Sequence, residues 1–127
     1  MSAGKTVVIG RALSGLAILF LAFDTAIKLA QASVVAETLS GLGYASDLGL
    51  TIGIVELVCL VLYAVPRTAV LGAILLTALL GGGIASHIRV DSPLFTHILF
   101  GVYLGLFVWG GPYLRSARLR ELIPVAR

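Results

Sequence analysis

Apolar residues fill four long runs of the chain, and polar residues gather between them. Each run holds roughly 18–21 residues, the length that a helix needs to cross about 30 Å of hydrocarbon. The runs do not alternate with period two, and only helices or closed barrels satisfy their backbone polar groups in lipid. The pattern predicts an all-α fold, a four-helix transmembrane bundle in a single domain (1–127), with spans at about 8–28, 48–65, 68–86 and 94–113.

The connections between the runs contain turn residues. Pro66-Arg67 separates the second run from the third, and residues 91–93 (Asp-Ser-Pro) separate the third from the fourth. The first connection, residues 31–47, is the longest. It contains an amphipathic stretch typical of an interfacial helix lying on the bundle, formed by Val34, Val35, Leu39 and Leu42.

The first run also has features of a cleavable signal peptide, because Lys5 and Arg11 lie at its start and Ala30-Gln31-Ala32 is an Ala-x-Ala site. Asp24 and Lys28 interrupt the approach to that site. A membrane-spanning helix is therefore the favoured interpretation.

The composition agrees with a membrane protein. The chain is 59% hydrophobic and 12% charged, whereas a soluble domain is about 45–50% apolar and about 25% charged. Membrane lipid is therefore an expected partner. Nucleic acid is not, because no basic stripe with interleaved aromatic residues exists outside the C-terminal tail.

The basic residues are distributed unevenly along the chain. Those near the N-terminus, in the Pro66-Arg67 turn and in the tail fall on one side of an even number of spans. Basic loops face the cytoplasm, so both termini and the basic tail (114–127) are predicted to be cytoplasmic. The residues concerned are Lys5, Arg11, Arg67, Arg115, Arg118, Arg120 and Arg127.

Two acids lie inside the apolar runs, where an ionisable side chain costs roughly a few kcal/mol or more. Asp24 precedes Lys28 by four residues, the favourable order for a local ion pair in a helix. This pair is either structural or functional. Glu56 has no ionic partner in its own run, so it is either protonated or paired with Arg89, Lys28 or a histidine of another helix.

The polar side chains within or beside the spans fall at one end of the predicted bundle. Counting helical rise from the run ends places them all in the outer half, and the inner half has no side chain of this kind. This asymmetry predicts an outward-opening polar cavity closed on the cytoplasmic side. The residues are Asp24, Lys28, Glu56, His87, Arg89 and His97, and Tyr63 continues the helical stripe of Glu56.

Glycines occupy two further helical positions of interest. Gly101 and Gly105 lie one turn apart, a spacing that lets helices approach closely. Residues 81–83 are three consecutive glycines, which predict either tight packing or the close approach of a ligand.

Metal chemistry has little support in the sequence. Cys59 is the single cysteine and lies in an apolar run, so we expect it to pack. His87 and His97 could hold a metal or haem, but no Glu-x-x-His pair or cysteine cluster supplies further ligands. No metal site is predicted, and any cofactor is unknown.

Several motifs together resemble one family. FDTAIKL, at the end of the first run, resembles the F-x-G-x-x-K-L signature of DoxX-like membrane proteins, although Asp-Thr stands where a Ser-Gly or Asp-Gly step is commoner. GIVEL, PRTAVLGA and ASHIR also resemble that family. The resemblance implies a multi-pass four-helix bundle of the bacterial inner (plasma) membrane. It implies no single activity, although relatives are similar to a subunit of a thiosulfate:quinone oxidoreductase or are linked to a membrane oxidoreductase complex.

The residues and the resemblance favour a site for a lipophilic small molecule, with a quinone as one candidate. Glu56, Asp24 and His87 are the candidate catalytic residues, and both an enzyme and a binding protein fit them. The alternative is a non-catalytic membrane anchor or assembly subunit for an oxidoreductase partner, docked through the arginine-rich tail. Transport would require a homo-oligomer, and the apolar inner half disfavours it. The candidate ligand-binding residues are Lys28, Arg89, His97 and Tyr63.

Overall fold

The computed structural model describes residues 2–126, which are all-α and contain no strand. The prediction of an all-α fold is confirmed. A 3₁₀ turn (Pro66–Thr68) and a π-helical turn (Leu94–Ile98) stand before two of the helices. The helices are α1 (Ala3–Leu29), α2 (Ser33–Gly41), α3 (Gly49–Ala64), α4 (Ala69–Arg89), α5 (Phe100–Arg115) and α6 (Ala117–Leu122).

Three helical stretches are long and apolar enough to cross a membrane: α1, Pro66–Arg89 and Leu94–Arg115. The apolar helix α3 is shorter. Its 16 residues cover about 24 Å at 1.5 Å per residue. It ends before Pro66, which has no N–H with which to continue the helix.

Helices α1, α3, α4 and α5 form a ring in which each helix packs against two others. The centre of the ring is apolar, with Ala73, Leu76 and Val108 fully buried. Cys59 also lies in this core, as predicted. Many large apolar side chains on the outer surface are exposed, which is typical of a surface that faces lipid.

The amphipathic stretch of the first connection forms α2. Its residues Val35 and Leu39 are buried, whereas Val34 is exposed. A Cβ at Gly49 would stand 2.8 Å from Val35 Cγ1, so the missing side chain at Gly49 lets α2 lie close to the start of α3.

The space around each glycine shows whether the missing side chain permits close helix packing. A Cβ at Gly101 would stand 2.7 Å from Ile84 Cγ1, so Gly101 packs tightly against α4, as predicted. Gly105 and residues 81–83 have no atom within 4 Å of that position. The expectation of tight packing at these four glycines is therefore wrong. Their spacing was correct for packing, but they lie on outward faces of α4 and α5.

Gly101→Ala and Gly105→Ala form a matched pair that tests this packing. We expect Gly101→Ala to lower the free energy of unfolding in detergent by about 1 kcal/mol, because Ile84 must move. Gly105→Ala should leave stability unchanged or raise it by up to about 1 kcal/mol, because alanine favours the helix. Equal effects of the two substitutions on thermal unfolding would contradict the packing at Gly101.

Candidate functional site

Two side chains of α1 contact one acid of α3, and one of the two also contacts an acid of its own helix. Lys28 Nζ lies 2.5 Å from Asp24 Oδ2 and 2.7 Å from Glu56 Oε1. Thr25 Oγ1 donates a hydrogen bond to Glu56 Oε2 at 2.7 Å. We call these four residues the Glu56 cluster. Among the partners that the sequence left open for Glu56, the structure supplies Lys28.

The local sequence explains how α1 and α3 come close enough for this contact. Asp24 and Lys28 lie four residues apart and therefore share a face of α1. On α3, Gly53 precedes Glu56 by less than one turn. A Cβ at Gly53 would stand 2.9 Å from Lys28 Cβ. The absence of a side chain at Gly53 thus lets the lysine lie against α3 and reach Glu56.

The members of the Glu56 cluster differ in their access to the surroundings. The side chain of Glu56 is 2% exposed, that of Lys28 is 21% exposed and that of Asp24 is 30% exposed. With all three ionised, the cluster carries a formal charge of −1. A molecule approaching from outside would therefore meet Asp24 and Lys28, and not Glu56.

The side chain of Glu56 is buried between the helices of the bundle. A cavity of about 190 Å³ lies between the end of α1, α2 and the start of α3. Among residues 2–126, every buried side-chain nitrogen or oxygen has a hydrogen-bond partner. The residues that line the cavity are Gln31, Ala32, Val35, Ala36, Ser46, Asp47, Gly49 and Leu50.

The two histidines lie against each other where α4 meets the π-helical turn. Their ring centroids are 5.5 Å apart and the planes meet at 67°, an edge-to-face arrangement. His87 Nδ1 lies 3.0 Å from Ser92 Oγ, and His97 Nδ1 lies 2.8 Å from Thr96 Oγ1. His87 is half-buried and His97 is exposed. We call these two residues the histidine pair.

Arg89 does not contact Glu56. Its guanidinium donates a hydrogen bond to the carbonyl oxygen of Leu42 and lies 5.7 Å from the centroid of the Tyr44 ring. The Tyr44 hydroxyl lies 2.6 Å from Ser86 Oγ. The contacts of Arg89 and Tyr44 therefore hold the loop after α2 against the end of α4.

A second polar cluster lies at the opposite end of the bundle, around Tyr63. The buried Tyr63 hydroxyl donates a hydrogen bond to Val108 O at 2.6 Å and lies 3.0 Å from Ser14 Oγ. Arg115 donates a hydrogen bond to Ser14 Oγ at 3.0 Å. We call Ser14, Tyr63 and Arg115 the Tyr63 cluster. Its hydrogen bonds run in one direction from Arg115 through Ser14 and Tyr63 to Val108.

Pro112 explains why this cluster exists. In a regular helix the N–H of residue 112 would bond to the carbonyl of Val108, but proline has no N–H to donate. A carbonyl left without a donor inside a membrane protein costs several kcal/mol, roughly. The Tyr63 hydroxyl supplies the missing donor from the neighbouring helix.

The expectation of an inner half without polar groups is therefore wrong. Tyr63 lies seven residues along α3 from Glu56, about 10 Å away, so it does not join the Glu56 cluster. Pro112 inside an apolar run indicates that one helix carbonyl lacks its N–H donor. The sequence does not show which residue donates to that carbonyl instead.

A family model for the DoxX-like family matches residues 12–111. The chain belongs to the DoxX-like family. The matched range contains the whole Glu56 cluster and both histidines, and it ends before Arg115. Neither a curated protein nor a solved structure shows a significant match.

The arginines of the tail in this DoxX-like protein have different roles. Arg120 donates hydrogen bonds to Tyr113 O at 2.8 Å and to Leu114 O at 2.9 Å, the last carbonyls of α5. Arg115 belongs to the Tyr63 cluster. Leu119 is buried, whereas Arg118 is exposed. Of the arginines that the structure describes in the tail, Arg118 is the best placed to meet a partner.

Proposed function

We propose that this DoxX-like protein crosses the bacterial inner membrane four times, through α1, α3, α4 and α5, with both termini in the cytoplasm. The position of α3 in the packed ring supports the fourth crossing, because α1 and α4 already flank it. A locally thinned bilayer accommodates its shorter length. The basic residues at the Arg115 end of the bundle support the orientation.

We further propose that the Glu56 cluster binds the polar head of a lipophilic small molecule, for which a quinone is the leading candidate. The observation that supports this proposal is Lys28, whose ammonium contacts two carboxylates and whose side chain is still 21% exposed. Such a group at membrane depth donates a charge-assisted hydrogen bond to a carbonyl oxygen that arrives from the lipid.

The members of the cluster then have separate roles. Lys28 is the hydrogen-bond donor to the ligand, and Asp24, the most exposed carboxylate, is the group positioned to exchange a proton with it. Glu56 does not touch the ligand but fixes the position of the Lys28 ammonium. The histidine pair forms a contact of its own, so His87 acts separately from Glu56.

A short-chain ubiquinone analogue provides the test, with its binding to protein in detergent micelles measured by equilibrium dialysis. We expect Lys28→Met to weaken binding by at least about tenfold, the equivalent of one charge-assisted hydrogen bond. Asp24→Asn should bind with an altered pH dependence, because the amide cannot exchange a proton.

Lys5→Met is the matched control, because Lys5 lies on the same helix, is exposed and is far along the chain from the Glu56 cluster. It should bind the analogue as the wild type does. If folded Lys28→Met protein binds the analogue with unchanged affinity, the Glu56 cluster is not the quinone site.

The alternative function is a non-catalytic anchor or assembly subunit for an oxidoreductase partner. The exposed position of Arg118 on the docked helix α6 favours it.

Deletion of the tail is a poor test of this alternative, because it removes Arg115 from the Tyr63 cluster. Arg118→Glu is sharper, and we expect it to lower the recovery of a membrane oxidoreductase in cross-linked pull-downs, with Arg67→Glu as the matched control. Equal recovery with Arg118→Glu would exclude docking through Arg118.

A further inference from the structure

We propose that His87 and His97 bind a divalent late transition-metal ion of the Zn²⁺ or Cu²⁺ type. The chain contains two histidines in total. The fold brings both of them into ring contact, although they belong to different helical segments on either side of a turn. Neutral imidazole is the side chain that suits these ions best among nitrogen ligands.

The separation of the rings fits two ligands of one ion. With a metal–nitrogen distance of about 2.0–2.1 Å, each imidazole centre lies about 3.2 Å from the ion. Two such rings at a roughly tetrahedral angle have centres about 5 to 5.5 Å apart. The observed separation is 5.5 Å. The observed ring separation therefore lies within the range expected for two imidazole ligands of one ion.

The hydrogen bonds of the two imidazole rings involve Nδ1, the nitrogen that a metal ion bound through Nε2 does not use. Both Nδ1 atoms face hydroxyl oxygens, of Ser92 and of Thr96. No hydrogen bond to either Nε2 is present in residues 2–126. Histidines that bind metals usually donate the N–H of the other ring nitrogen to an oxygen atom, which fixes the tautomer and the orientation of the ring. Ser92 and Thr96 provide that arrangement before any ion binds.

The surrounding backbone also favours a cation. His87 lies in the last turn of α4, where unpaired helix carbonyls place partial negative charge. His97 lies on the π-helical turn, a geometry that is frequent at functional sites. Within the described residues, no group of three or more His, Cys, Asp or Glu side chains forms a ligand set. Water would therefore complete the coordination, and the ion would exchange readily through the exposed side of His97.

Electron paramagnetic resonance of Cu²⁺ bound to tag-free protein in detergent tests this proposal. We expect the wild type to show coupling to two imidazole nitrogens and to release Cu²⁺ only to a large excess of Zn²⁺, since nitrogen ligands bind Cu²⁺ more tightly. His87→Ala and His97→Ala should each show one imidazole nitrogen and bind at least about tenfold more weakly. Ser92→Ala should weaken binding by about tenfold, because it removes the oxygen that orients His87.

Asp91→Asn is the matched control, because this exposed acid lies in the same turn without belonging to the histidine pair. It should keep the two-nitrogen spectrum and the affinity of the wild type. The emission of Trp109 verifies that every variant is folded. Folded wild type without Cu²⁺ binding at micromolar concentrations, or single-histidine variants with the wild-type spectrum, would overturn the proposal and leave the histidine pair as a packing contact.

Discussion

Lys28→Met is expected to lower the free energy of unfolding by about 3–5 kcal/mol, the usual cost of removing one partner from a buried ion pair. Glu56 is almost fully buried and would keep only the Thr25 hydroxyl as a donor. Asp24 would lose its partner as well. The change can be measured as thermal unfolding in detergent micelles. Trp109 reports it, because its indole N–H bonds to Thr77 on α4 at 2.6 Å.

Glu56→Gln is the informative comparison for this prediction. Lys28 keeps Asp24 as a partner in that variant, and the glutamine oxygen can still accept a hydrogen bond. We therefore expect a smaller loss of stability than in Lys28→Met. The double variant Lys28→Met/Glu56→Gln should recover part of the loss, because it leaves no buried carboxylate unpaired. Stability of Lys28→Met within about 0.5 kcal/mol of the wild type would show that the lysine does not stabilise the bundle.

The Glu56 cluster also shows how far the sequence predicts the site. The contact between Asp24 and Lys28 follows from a spacing of four residues within one helix, which the sequence displays directly. The contact between Lys28 and Glu56 depends on which helices are neighbours, and the apolar helices of one chain can be arranged in several ways. Gly53 lies on the same face of α3 as Glu56, but a glycine does not identify the helix that packs against it.

The remaining differences have the same origin. Helical rise places Arg89 and Glu56 toward the same end of the bundle. It gives the depth of a residue along its helix, but not the direction in which the side chain points around that helix. The structure directs Arg89 toward the loop that holds Leu42 and Tyr44. The expectation of tight packing at residues 81–83 and at Gly105 was wrong for the same reason. The sequence does not distinguish a glycine that faces a neighbouring helix from one that faces lipid.

Tyr63→Phe is the second substitution for which we expect a large effect, a loss of about 1–3 kcal/mol in stability. The phenyl ring preserves the packing of the buried side chain and removes only the hydroxyl. Val108 O would then have no donor from Tyr63 and none from Pro112. Tyr103→Phe is the matched control, since that tyrosine is exposed on α5, and it should change stability by less than about 0.5 kcal/mol.

Pro112→Ala makes this prediction specific to the carbonyl of Val108. Alanine restores the N–H at position 112, so Val108 O regains a donor from its own helix. Tyr63→Phe should therefore cost less in the Pro112→Ala background than in the wild type, with a coupling energy of at least about 0.5 kcal/mol in a double-mutant cycle of thermal stability. Additive effects would mean that Tyr63 stabilises the bundle through Ser14 and Arg115 alone. A positive coupling would identify Tyr63 as the residue that allows a proline inside α5, where the Arg115 end of the bundle meets the tail.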